Sequence, residues 1–154
     1  MNVEDIKQLM DGFDPAALLP DLTTVAGKME LICRIAVMLG PILLLTLGLI
    51  YYFLAPKEAN HRFGYRTYFG MGSEEAWCFV QRLAGFVYMI LGGVLALAAL
   101  IISIILIWQD TVTLLTTAAI YLAIEAVLTG LAVSAINIYM AGRYDQDGYR
   151  RGSR

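Results

Sequence analysis

Three runs of apolar residues decide what this chain can fold into: 31–54, 83–108 and 111–140. About 20 consecutive apolar residues cross the hydrocarbon core of a bilayer as a helix, and each run reaches that length. The first holds one charge, Arg34, near its start; the second holds none; the third holds only Glu125. In lipid there is no water to satisfy backbone N–H and C=O groups, so such runs fold as helices that bond internally. Composition agrees. The chain is 59% hydrophobic and 16% charged, against about 45–50% and about 25% in soluble domains. The expected fold class is all-α: an integral membrane three-helix bundle with an N-terminal amphipathic helical segment. Its 154 residues suit one such domain.

That first segment covers residues 1–30. Val3, Ile6, Leu9, Met10 and Phe13 recur at helical spacing among Glu4, Asp5, Lys7 and Asp11. Asp14-Pro15 and Pro20-Asp21 punctuate it. One or two short amphipathic helices are expected, lying on the membrane surface or over the bundle. Six acids against two lysines favour packing against the protein's own spans over charge attraction to anionic lipid. No cleavable signal peptide is expected, so the first span directs insertion. The three-span domain then occupies 31–142, and a polar tail, mobile at its end, occupies 143–154.

Local signals set the span ends. Pro41 removes a helical hydrogen bond and predicts a kink. Tyr51, Tyr52 and Phe53 read as an aromatic belt. Ser73 reads as an N-cap, with Glu74 and Glu75 favoured in the first turn. Trp77, Phe79, Val80 and Arg82 then fall at the membrane interface. Gly85, Gly92, Gly93, Ala96, Ala98 and Ala99 allow close helix approach. Gln109-Asp110 predicts a tight turn, with Asp110 or Thr111 capping the third helix, and Gly142 reads as its C-terminal signal.

Charge gives the orientation. The stretch from Lys57 to Arg82 carries four basic residues and the tail four more, while the opposite side carries Lys7, Lys28 and Arg34. The positive-inside rule then places the N-terminus outside, with the central loop and the C-terminus in the cytoplasm.

Few residues offer chemistry. Glu125, near mid-membrane, costs several kcal/mol if ionised and isolated. It is expected to be protonated, paired or facing water. It reads equally as a proton or cation site and as a structural acid bonded to Thr46 or Ser103. Glu125, Thr129 and Asn137 share a helix face, although polar residues on a span also serve simply to hold helices together. Arg34 is expected to snorkel to the outer surface. Arg66 suits bidentate capture of a carboxylate or phosphate, or the capping of helix-end carbonyls. His61 has no His or Cys nearby at ligand spacing, and Cys33 and Cys78 lie far apart, so no metal or other cofactor is expected. No catalytic motif is present, so an enzyme is unsupported and no catalytic residue is assigned.

The loop carries a resemblance. Pro56-Lys57, Asn60, Gly64-Tyr65-Arg66-Thr67, Met71, Ser73 through Trp77, Arg82 and Gly85 fall in register with the signature of the SdpI family of small bacterial membrane proteins. Tyr68 and Gly70 depart from it, where that family usually has Pro and then Thr or Ser. The resemblance spans roughly residues 50–140. It implies a multi-pass protein of the bacterial cell membrane. It also implies an immunity protein conferring resistance to a secreted membrane-active peptide toxin, with signalling through a cytoplasmic regulator. The matching Asn60, Gly64, Tyr65, Arg66, Thr67 and Trp77 are the functional-loop candidates. Gly64 permits a positive-φ turn, Asn60 and Arg66 suit helix-end carbonyls, and Trp77 suits an interfacial anchor. Two other readings stay open. One is an oligomeric transporter or channel subunit using Glu125. The other is an intramembrane enzyme acting on a lipid-like substrate through Arg66 and Glu125. Expected partners are membrane lipid and a peptide, not nucleic acid.

Overall fold

The structure, a computed structural model, describes residues 22–59 and 62–152. Helix α1 spans Leu22–Leu49 and continues as a π-helical turn, Ile50–Leu54. Helix α2 spans Glu74–Ile105 and ends in a 3-10 turn, Leu106–Trp108. Helix α3 spans Thr111–Arg143. All three are long and apolar enough to cross a membrane, and the chain is an all-α, multi-pass membrane protein. Residues 22–30 continue the first span's helix without a break. The short helices expected earlier in the chain lie outside the described residues.

Both expected caps form. The Ser73 hydroxyl accepts from the Ala76 N–H at 3.1 Å. The Asp110 carboxylate accepts from the Thr113 N–H at 3.1 Å and from its hydroxyl at 2.6 Å. These bonds, the hydroxyl's foremost, hold the exposed Asp110 carboxyl below its ordinary range. Helix α3 runs one residue past Gly142, so Gly142 lies in its last turn and not beyond it.

Lipid offers no hydrophobic drive between helices, so close contact and polar bonds hold such bundles together. Helices α1 and α2 meet along Val37, Pro41, Leu44 and Gly48 on one side. Ala84, Gly85, Tyr88, Gly92, Leu95 and Ala99 face them. A Cβ on Gly85 would lie 2.7 Å from the Tyr52 nitrogen and 2.9 Å from the Gly48 oxygen, so here backbone packs on backbone. Helix α3 joins through Leu114, Ala118, Tyr121 and Glu125, and near its end through Ile136 and Met140. The Tyr121 hydroxyl donates to the Leu95 carbonyl at 2.8 Å. Side chains such as Leu43, Ile104, Val127 and Ile138 point outward, the arrangement a lipid solvent favours.

At the end of the bundle holding the α2–α3 turn, Arg34 reaches the last turn of α2. It donates to the Ser103 carbonyl at 3.2 Å and to the Leu106 carbonyl at 3.1 Å. The last carbonyls of a helix have no partner within it, and a cation is favoured at that end of the dipole. An arginine on α1 meets both needs of α2. Beside it the Thr111 hydroxyl donates to the Glu30 carboxylate, tying the start of α3 to α1.

Candidate functional site

The connection between α1 and α2 folds over the opposite end of the bundle, and α2 supplies its framework. Trp77 and Gln81 sit one turn apart on α2 and are both buried. Gln81 clamps the loop backbone: its Oε1 accepts from the Tyr65 N–H at 2.8 Å, and its Nε2 donates to the Tyr65 carbonyl at 2.7 Å. One amide side chain thus gives an extended segment the pairing that a neighbouring strand would give. Buried backbone polar groups need such partners. Gly64, just before it, has φ +120°, and a Cβ there would meet the Trp77 ring at 2.6 Å. Glycine is therefore required twice over, for backbone conformation and for space.

Trp77 is not an interfacial anchor. It is fully enclosed, and its Nε1 donates to the Pro56 carbonyl at 2.7 Å, fastening the end of α1 to α2. Packing under Gly64 draws the ring inward, away from lipid. Thr67 is buried, and its hydroxyl accepts from the Gly70 N–H at 2.9 Å. That bond shapes the 3-10 turn Phe69–Met71. Along Tyr65 to Tyr68, burial alternates: Tyr65 and Thr67 point in, Arg66 and Tyr68 point out.

Below the loop Tyr65 joins an aromatic cluster. Its ring lies 6.1 Å from Tyr51 and 5.8 Å from Tyr88, edge to face in both cases. Tyr51 also meets Phe63 at 6.4 Å. Burial pushes the Tyr65 phenol above the usual tyrosine range. On the outer side, a cleft of about 180 Å³ is lined by residues including Tyr51, Tyr52, Phe53, Lys57, Gln81 and Arg82. It combines aromatic walls with two cations at the level where α1 leaves the membrane.

Residues 143–151 of the tail fold back on the bundle. The Asp145 N–H donates to the Tyr149 carbonyl and the Gly148 N–H to the Asp145 carbonyl. Tyr144 and Arg150 form an antiparallel bridge. The Ser73 hydroxyl donates to the Gly148 carbonyl at 2.6 Å, joining this turn to the head of α2. Tyr144 is wholly buried, with its ring 5.7 Å from Phe79.

The intramembrane candidates stand apart from this loop, and from one another in exposure. Glu125 is buried, Thr129 half-buried and Asn137 exposed. The Glu125 carboxyl bonds neither Thr46 nor Ser103. It lies over Gly40 of α1, and its Oε2 has no hydrogen-bond partner. The Thr46 hydroxyl turns instead to the Ile42 carbonyl of its own helix. Asn60 and His61 lie outside the described residues.

Of the residues that build the loop's underside, Gln81 and Tyr88 were not singled out by sequence reasoning, and Tyr51 was read only as part of an aromatic belt. One signal pointed to Gln81: an amide four residues after Trp77, on the same face of an apolar helix. Among comparisons with known proteins, the model of the SdpI/YfhL protein family matches residues 57–136. No curated protein and no solved structure matches the chain.

Proposed function

Because this chain belongs to the SdpI/YfhL protein family, we propose that it is a membrane immunity protein that binds a membrane-active peptide at its α1–α2 loop. Signalling to a cytoplasmic partner is a second element of this reading, and the positive-inside rule puts the loop on the cytoplasmic side. One observation carries the proposal. The family-motif residues form a braced loop, clamped by Gln81 and Trp77, that turns Arg66 and Tyr68 outward. The adjoining cleft, aromatic and cationic, opens at the membrane boundary. Such a surface suits an amphipathic peptide, whose apolar side chains meet the rings and whose acidic or carbonyl groups meet the cations. A preorganised loop also spares the ordering cost of binding.

Survival under challenge tests this. Wild type, Arg66→Ala and Glu125→Gln are expressed at equal level in a sensitive bacterium exposed to membrane-active peptides. Protection by wild type that is lost in Arg66→Ala and kept in Glu125→Gln is the expected result. Absence of protection by wild type against any peptide overturns the proposal.

A second reading, an oligomeric transporter or channel subunit, draws on the buried Glu125 carboxyl with its unpartnered Oε2. Proton flux in liposomes that is abolished in Glu125→Gln would support it. A strictly monomeric state in lipid would rule it out.

A further inference from the structure

We propose that the groove between the folded tail and the end of α3 binds the headgroup phosphate of an anionic phospholipid. The groove has a volume of about 530 Å³ and is lined by Tyr139, Gly142, Arg143, Arg150 and Arg151. Three guanidinium-bearing residues thus converge on one concave space. All three lie beyond residues 57–136, the part matched by the family model.

The arginines are held in place, not loosely displayed. The Arg143 guanidinium lies 4.7 Å from the centre of the Phe79 ring and 5.8 Å from that of Tyr139. Its Nη1 donates to the Tyr139 hydroxyl at 2.7 Å, while its buried Nε has no hydrogen-bond partner. Arg151 is fixed by its N–H on the Arg143 carbonyl at 3.0 Å and by its Nε on the Tyr144 carbonyl at 3.1 Å. Arg150 carries the bridge to Tyr144 and a 3.7 Å ion pair with Glu75. That pair is exposed on both sides, and exposed pairs exchange readily with a competing anion. No carboxylate lines the groove among the described residues. An Asp145 oxygen is turned to the N–H groups of Asp147 and Tyr149. Guanidinium groups in a preset fork match phosphate oxygens in pairs.

Position selects lipid over a soluble phosphate. The groove sits at the rim of a span, where Tyr139 forms one wall and the neighbouring Ile138 is 73% exposed. Cations lie at headgroup level and apolar surface lies directly below, which suits a phosphate carried on acyl chains.

Native mass spectrometry of the full chain, released from detergent micelles holding equal phosphatidylglycerol and phosphatidylcholine, tests this. Wild type is expected to retain phosphatidylglycerol about tenfold over phosphatidylcholine. The variant R150A/R151A is expected to lose about 30-fold in affinity for phosphatidylglycerol. Gly142→Glu supplies a second arm. A Cβ at Gly142 meets nothing within 4 Å, so the helix tolerates it while a carboxylate enters the groove, and the preference is expected to vanish with helix content unchanged. Equal retention of the two lipids by wild type overturns the proposal, as does an unchanged preference in both variants. Retention of added inorganic phosphate by wild type with no phosphatidylglycerol retained would assign the site to a free phosphate and overturn the lipid assignment.

Discussion

Gln81 braces the loop from a position outside the candidates the motif supplied. Both of its amide atoms are committed to the Tyr65 backbone, and it is buried. Gln81→Leu nearly keeps the volume but leaves the buried N–H and C=O of Tyr65 unmet. At about 1–3 kcal/mol for each orphaned group, the loss is expected to be about 2–6 kcal/mol, read from denaturant unfolding in mixed micelles. Gly40 shows a different dependence, on space. Any Cβ there runs into the Glu125 carboxyl, so Gly40→Ala is expected to lower the thermal midpoint. Glu125→Ala vacates that space, and the double variant is expected to be more stable than Gly40→Ala alone. A coupling of about 0.5–3 kcal/mol is typical of residues in contact. Strict additivity of the two substitutions would show that the carboxyl does not occupy this position.

At the scale of elements, the caps set where helices begin, and one of them responds to acid. The Asp110 carboxyl is held below its ordinary range by Thr113. A depressed folded-state value means that its stabilisation is present above the unfolded value, about 3.9. It is lost as pH falls through the lower folded value. The difference in thermal midpoint between wild type and Asp110→Ala is therefore expected to be constant near neutrality and to shrink below about pH 4. The tail turn depends on Gly148, which has φ +76° and packs against the Gly72–Ser73 backbone. Gly148→Val is expected to undock it, with faster amide exchange across 69–73 and 144–151 while the three helices stay protected. The helices and both caps were legible in the sequence because hydropathy and capping are local rules. The loop's framework was legible only in part. The motif marked Gly64, Tyr65 and Trp77, but neither the packing of Trp77 under Gly64 nor the clamp of Gln81 on the Tyr65 backbone is a local signal, and Trp77 reads as an interfacial residue until Gly64 is placed against it. The tail's fold was hidden for the same reason. Its composition is that of a solvated end, and what orders it is the Ser73 hydroxyl and the Phe79 ring, both more than 60 residues earlier.

For the whole molecule, the two ends of the bundle differ in how they are closed. One is covered by the loop and the tail, the other by Arg34 and the α2–α3 turn. The two cysteines report on them separately. Cys78 lies beside the loop, with its thiol 3.4 Å from the Lys57 carbonyl. Cys33 lies at the other end, beside Ser103 and Leu106. With the loop in the cytoplasm, a membrane-impermeant maleimide is expected to spare Cys78 in intact cells and to label it after permeabilisation. Labelling in intact cells would reverse the orientation. The Arg34 closure also bears on the order of assembly during synthesis. Its two acceptors, on Ser103 and Leu106, are made about 70 residues after it. Until then the first span carries a guanidinium with neither of its final partners, and an unmet charge is costly wherever lipid surrounds it. The first helix can therefore enter the bilayer early but reach its final depth only after the second has crossed. A ribosome-bound chain arrested before residue 103 is expected to hold that helix shallower than one arrested after residue 108.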